Sequence, residues 1–396
     1  MKNKYRGNIL ALTIHLMFAK RITGPVMMLF YQSMSLNFSQ IGILSSITWL
    51  TDASLEMYGG AFSDVYGRKK ASLVYATLGM LCMIIFTFGN NFIHFAIASI
   101  AYGISLAVGS GNASSLLYDT LRMLKIENQY KKYRGKIMFP AKVMSSFVVL
   151  LLPFLYLHNI RYPFIAGFVF YLIAFLTALF FFVEPKLKKD TNKTIHNTIL
   201  SSIREILKSK KVMLVIAIDV LLSGFLLLSL EYLQPIIKLA GLPVAYFGVV
   251  YAAVRILSGL ASMLTHKLSH HSNSRLLVCS TSLIAINLIG FALTKSYLLI
   301  IFILISSIAD GVSDIVTNDI TNNNITPKNR TTILSTANLL TSLFFSLLLI
   351  SAGHISDQFG VQRMFGIAGI ALVLLSAILL VSFRLRLSKQ LFPRIQ

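Results

Sequence analysis

The stretch Gly60-Ala61-Phe62-Ser63-Asp64-Val65-Tyr66-Gly67-Arg68-Lys69-Lys70 decides the fold of this chain. It is a short, charged, glycine-punctuated turn set between two long apolar runs. Such a turn fits there only if its flanks are helices already crossing a membrane. The composition agrees: of 396 residues, 56% are hydrophobic and 13% charged, against about 25% charged in an ordinary soluble protein. Runs long enough to cross about 30 Å of hydrocarbon recur from end to end. In lipid the backbone must satisfy its own hydrogen bonds, so each run reads as a helix. Twelve spans are expected, at 8–34, 41–60, 71–89, 92–121, 136–157, 161–183, 212–234, 243–266, 276–294, 297–324, 331–352 and 362–384. That pattern excludes a soluble globule.

The formal net charge of +22 suggests nucleic acid only until its distribution is read. Alternating loops place 28 of the 36 Lys and Arg residues on the side of the N-terminus. Arg161, Lys238, Lys295 and Arg363 fall on the other side, and Lys20, Arg21, Lys142 and Arg255 lie within spans. This is the positive-inside bias, so both termini and the central loop are expected in the cytoplasm, with no nucleic-acid partner. The N-terminus is basic, but the apolar segment behind it is too long for a signal peptide and lacks a small-residue cleavage site, so it reads as a retained span. Cys82 and Cys279, the only cysteines, fall in spans 3 and 9 and read as packing residues rather than a disulfide or metal pair.

The pattern Gly-x-x-x-Asp-x-x-Gly-Arg-Lys-Lys, carried by Gly60, Asp64, Gly67, Arg68, Lys69 and Lys70, resembles the loop between helices 2 and 3 of the major facilitator superfamily. Val65 stands where that pattern has its first arginine. Glu56 and the stretches Ser110–Leu121 and Thr326–Ser335 resemble a Gram-positive bacterial branch of the same superfamily that exports drugs and small molecules. The resemblance implies an all-α integral membrane protein with twelve transmembrane helices in two pseudo-symmetric six-helix bundles. It also implies a monomer in a bacterial cell membrane. Residues 184–211, with eight basic side chains, divide the bundles 1–183 and 212–396, as in a transporter built from two repeats. Ile195, Ile199, Ile203, Ile206 and Leu207 recur there at helical spacing, which fits either an amphipathic helix on the inner leaflet or a solvated linker. By resemblance, Asp64 faces the start of span 11, and Arg68 pairs with an acid at the cytoplasmic end of span 4, where Asp119 stands. The gating set is then Gly60, Asp64, Gly67, Arg68, Lys69 and Asp119.

Ionisable groups inside the spans are the other candidates, because each costs roughly 2.5–3.5 kcal/mol to insert centrally and so faces a partner or water. These are Lys20 and Arg21 in span 1, Asp52 and Glu56 in span 2, Asp219 in span 7, Arg255 in span 8, and Asp310 and Asp314 in span 10. By resemblance, spans 1, 4, 7 and 10 line a central cavity. Asp310, Asp314 and Asn318 follow at i, i+4 and i+8 and share one helix face. Two carboxylates one turn apart discourage each other's ionisation, which suits a proton carrier. The alternative is permanent pairing of these acids with Lys20, Arg21 or Arg255.

The expectation is a secondary transporter, most simply a proton-coupled exporter of a drug-like or toxic small molecule. Phe139 through Pro153 lack the glycines that helix 5 of many such antiporters carries, which leaves open a carrier of an anionic metabolite guided by Lys20, Arg21 and Arg255. A non-transporting membrane receptor is the alternative of another class. No metal set, cofactor motif or Ser/His constellation lines up on the helices, and no phosphate-binding Gly-rich loop followed by Lys-Ser or Lys-Thr occurs, so neither an enzyme nor an ATP-driven pump is expected.

Overall fold

The computed structural model describes residues 2–185, 210–268, 272–323 and 330–387, and these are helical almost throughout. The linker helix expected within 195–207, residues 324–329 leading into span 11, and the side chains of 330–335 and of Asn318 lie outside the described residues.

The chain divides into two compact units: 1–36, 44–195 and 244–249 form the first, and 37–43, 196–243 and 250–396 the second. In the first unit lie α1 (Lys2–Phe18), α2 (Met27–Ser33), most of α3 (Phe38–Tyr66), α4 (Arg68–Phe88), α5 (Phe92–Gly109), α6 (Asn112–Met123), α7 (Tyr130–His158) and α8 (Tyr162–Phe181). The second holds the first residues of α3, then α9 (Lys210–Glu231), α10 (Leu233–Leu239), most of α11 (Phe247–Leu264), α12 (Asn273–Leu293), α13 (Leu299–Asn323), α14 (Arg330–Phe359) and α15 (Val361–Leu387). Aromatic side chains fill the first unit's core, with the Phe30 ring 4.2 Å from Phe164 and 5.5 Å from Phe95. Phe291 meets Phe365 edge to face at 5.0 Å in the second.

Among the described residues, ten helical segments are long and apolar enough to cross a membrane. Their outer faces carry large apolar side chains such as Phe88, Phe180 and Leu293, exposed by 73%, 70% and 80%. Such surfaces are rare on monomeric soluble proteins and fit lipid.

Several spans differ from the uniform rods expected. Span 1 breaks: α1 stops at Phe18, and a 3-10 turn at Gly24–Val26 precedes α2. Pro25 supplies no N–H to continue the helix, and the freed Ala19 carbonyl accepts the Tyr75 hydroxyl at 2.7 Å. Span 4 breaks between α5 and α6, where Gly111 has φ +68°. Span 7 breaks at Tyr232, between α9 and α10. Span 2 runs on: α3 reaches Tyr66, so Gly60 through Tyr66 are helical and the whole turn is one residue, Gly67, at φ +105°. Gly60 is therefore no turn residue.

Candidate functional site

The Gly67 turn is held by a network within the first unit. The Arg68 guanidinium meets Asp64 at 2.6 Å and Asp119, on α6, at 3.3 Å. Arg68 is 14% exposed, Asp119 17% and Asp64 61%. The exposed pair therefore adds about 1 kcal/mol at most, while loss of one partner from the sheltered pair costs about 3–5 kcal/mol. Arg68 also donates to the Ser63 hydroxyl at 2.8 Å, and that hydroxyl donates to Asn112 Oδ1 at 2.6 Å. Asn112 Nδ2 returns to the Arg68 carbonyl at 3.1 Å and to Ser72 Oγ at 2.9 Å. The break in span 4 thus brings Asn112, the first residue of α6, beneath the turn.

Glu184 completes the arrangement. Its two carboxylate oxygens accept the backbone N–H groups of Arg68 at 2.8 Å and Lys69 at 2.7 Å, capping the start of α4. Lys69 Nζ donates to the Leu179 carbonyl at 2.7 Å, on α8. The adjacent Val183 is clamped by Asn8, whose Oδ1 accepts its N–H at 2.8 Å and whose Nδ2 donates to its carbonyl at 2.8 Å. The ends of α8, α4 and α1 are therefore locked together around the turn.

Lys20 and Arg21 stand at the break in span 1. Lys20 Nζ donates to the Ala141 carbonyl at 2.7 Å, and the Arg21 guanidinium lies 4.5 Å from the Tyr102 ring centre. Both complement the C-terminal end of α1, where cations are favoured. On α3, Asp52 precedes Glu56 by one turn, and Glu56 Oε1 accepts the Ser110 hydroxyl at 3.2 Å.

In the second unit the acids gather. Asp310 Oδ2 accepts the Ser258 hydroxyl at 2.6 Å, across from α13 to α11. Asp219 Oδ1 accepts the Thr317 hydroxyl at 2.7 Å, joining α9 to α13. Asp314, one turn along from Asp310, acts electrostatically on both Asp310 and Asp219. Arg255 is exposed on α11, beside Tyr251. Among the described residues no cluster suited to a metal ion occurs.

Sequence reading missed Glu184, Asn112, Asn8, Ser110, Ser258 and Thr317. Glu184-Pro185 at a span end and Asn112 after two small residues were the only signals available. Small hydroxyl residues in apolar helices give none.

Long apolar helices with ionisable side chains set among them define a multi-pass membrane protein. The family model described as Major Facilitator Superfamily matches residues 9–293 and 268–394. The chain belongs to this superfamily. The uncharacterized MFS-type transporter YxaM of Bacillus subtilis (strain 168) is 23% identical over 248 residues, which is 59% of each chain. The chain thus spans about 59% of that curated relative's length. Among solved structures, the nucleoside transporter NupG is similar at TM-score 0.78 and 14% identity, covering 97% of this chain and 99% of NupG. A D-xylose–proton symporter is similar at TM-score 0.66 and 15% identity, covering 93% and 96%. At these identities the likeness concerns the fold alone.

Proposed function

We propose that this chain is a proton-coupled exporter of a drug-like or toxic small organic molecule. It works by alternating access of two six-helix bundles, 1–183 and 212–396, as a monomer with twelve spans. Both termini lie in the cytoplasm of a bacterial cell.

One observation carries proton coupling: Glu56, Asp219 and Asp310 each accept a hydrogen bond from a hydroxyl. A hydroxyl donates to a carboxylate and, once rotated, accepts from a carboxylic acid, so either protonation state keeps a partner. An acid locked to a buried arginine lacks that freedom, because protonation would strand the cation at a cost of about 3–5 kcal/mol. Asp310 is the proton carrier in this reading. A proton taken from outside neutralises it, weakens its hold on the substrate and permits the return step by shifting the population between two states. Arg68, Asp119 and Asp64 latch the cytoplasmic end in the other half of the cycle. The symporter among the similar structures makes proton coupling compatible with the fold. Export is the direction suggested by the resemblance of Glu56, Ser110–Leu121 and Thr326–Ser335 to the efflux branch.

A second reading, a carrier of anionic metabolites, draws on Lys20 and Arg21 at the break between α1 and α2. Interrupted helices at membrane depth occur where the backbone is buried in protein or lines a cavity, and in transporters they build substrate sites.

The test uses inside-out vesicles with an acidic interior, a pH-sensitive dye, and a panel of cationic dyes, organic anions and sugars. The native chain is expected to release protons on addition of its substrate, and Asp310→Asn to give no release. Counterflow of a compound with no proton response in the native chain would overturn proton coupling. Loss of activity in Lys20→Gln and Arg21→Gln, with Asp310→Asn unaffected, would favour the anion carrier.

A further inference from the structure

We infer that the cavity around Arg161, at the end of the first unit away from the Gly67 turn, seats the phosphate of an anionic phospholipid. α4 starts at Arg68 beside that turn and ends at Phe88, and the turn between α7 and α8 carries Arg161 to the same end. Both α4 and α8 are long and apolar enough to cross a membrane, and Phe88 and Tyr162 bound them here. Arg161 therefore stands where hydrocarbon gives way to headgroups, the depth at which a bilayer holds its phosphates.

Arg161 is half-buried, and the groups it meets are neutral. Nη1 donates to the carbonyl of Thr87 and, at 3.3 Å, to that of Gly89. Nη2 donates to Asn90 Oδ1 at 2.5 Å and approaches Met34 Sδ at 3.9 Å. No carboxylate answers the charge. Residues 34–37, 87–94 and 156–163, which build this end of the unit, contain no Asp or Glu. Among the described residues Arg161 forms no ion pair. A sheltered guanidinium held in place by neutral acceptors is a seat for an anion, and its fork matches phosphate oxygens.

The cavity, of about 330 Å³, has a polar and an apolar wall. Asn90, Asn159 and Tyr162 make the polar one. Asn90 Oδ1 is taken by the guanidinium and Asn159 Oδ1 by the Arg161 N–H at 2.9 Å, which leaves the NH2 group of each to donate. Phe88 and Ile165 make the apolar wall, and both are exposed. Donors beside an exposed apolar wall at the membrane interface suit a phosphate that carries acyl chains better than a free ion. The missing carboxylates decide the headgroup. The ammonium of a zwitterionic lipid would find no counter-charge and would lie near Arg161, whereas phosphatidylglycerol brings only hydroxyls to the remaining donors and acceptors. The cavity volume lies at the lower end of the range for small-ligand sites, about 300–1,000 Å³, as a headgroup requires.

The test sets one tryptophan at the cavity of the full chain: Phe88→Trp, with Trp49→Phe removing the native one. The protein is placed in phosphatidylcholine vesicles at low salt. Its fluorescence is then quenched with phosphatidylglycerol or phosphatidylcholine brominated high on the acyl chains. Quenching reports only lipids that touch the reporter, so basic residues elsewhere on the chain do not contribute. The anionic lipid is expected to associate about fivefold more strongly than the zwitterionic one. Arg161→Ala in the same background should bring that ratio to about one. If Arg161→Ala does not fold for want of its loop contacts, Ile165→Glu decides. Its carboxylate, one helical turn from Arg161, would pair with the guanidinium and take the place of the phosphate, so the preference should again be lost. Equal quenching by the two lipids in the Phe88→Trp chain would overturn the inference, as would a preference that survives the substitution tested. Displacement of the brominated phosphatidylglycerol by inorganic phosphate would also overturn it, and would assign the cavity to soluble anions instead.

Discussion

Gly67 and Glu184 together make a turn that neither makes alone. The φ of +105° at Gly67 is one that side chains with a Cβ resist, and a Cβ there would also sit 2.8 Å from the Glu184 carboxyl carbon. Gly67→Ala therefore carries two penalties, about 1–3 kcal/mol of backbone strain and the ejection of the cap. Glu184→Ala keeps the turn and uncaps two N–H groups, at about 1 kcal/mol. Thermal unfolding in detergent should place Gly67→Ala below Glu184→Ala, and both below the native chain. Equal losses would mean that the turn stores no strain. The glycine was legible because Gly-Arg-Lys-Lys between apolar runs has few other uses. Glu184 was not: it reads as the first residue of a basic linker, and no spacing links it to Arg68, 116 residues earlier.

Run length and composition reveal a helix that crosses a membrane, but not where it packs or breaks. The broken spans illustrate this. The carbonyl freed at Ala19 is satisfied by Tyr75 from another helix, a partner the local sequence of span 1 does not contain. The crossing of α3 and α5 makes the same point with two adjacent glycines. Gly60 carries the family pattern, yet a Cβ there would meet nothing within 4 Å. A Cβ on Gly59 would lie 2.1 Å from the Ala107 carbonyl oxygen, and one on Gly103 would lie 2.6 Å from Thr51. Gly59→Ala should therefore force the helices apart and cost about 1–3 kcal/mol, while Gly60→Ala should be neutral or add about 0.5–1 kcal/mol of stability. Unfolding temperature and transport rate, measured together, check the contrast. Loss of both in Gly60→Ala with Gly59→Ala unharmed would make the family glycine, and not the crossing, the constrained position.

Coupling belongs to the whole molecule, because a proton must be bound in one state and released in another for a gradient to drive net movement. Charge balance makes this testable without knowing the conformations. In Asp310→Asn the side-chain oxygen is still placed to accept the Ser258 hydroxyl, so the local contact of 2.6 Å has a neutral replacement. The amide imitates the protonated acid permanently. Exchange of substrate between the two sides requires only that the loaded protein alternate, so counterflow of the compound selected by the vesicle panel should persist at saturating concentration, with a weaker apparent affinity because the neutral amide holds the substrate as loosely as the protonated acid does. Accumulation against a gradient requires the proton to leave, and should fall to background. Asp219→Asn, which keeps the Thr317 contact, separates the two acids. If it also uncouples, the proton passes through both carboxyls; if it leaves accumulation intact, Asp219 ties α9 to α13 and Asp310 carries the proton alone. Gradient-driven accumulation by Asp310→Asn at the native rate would remove α13 from the coupling route and move the search to Asp52 and Glu56.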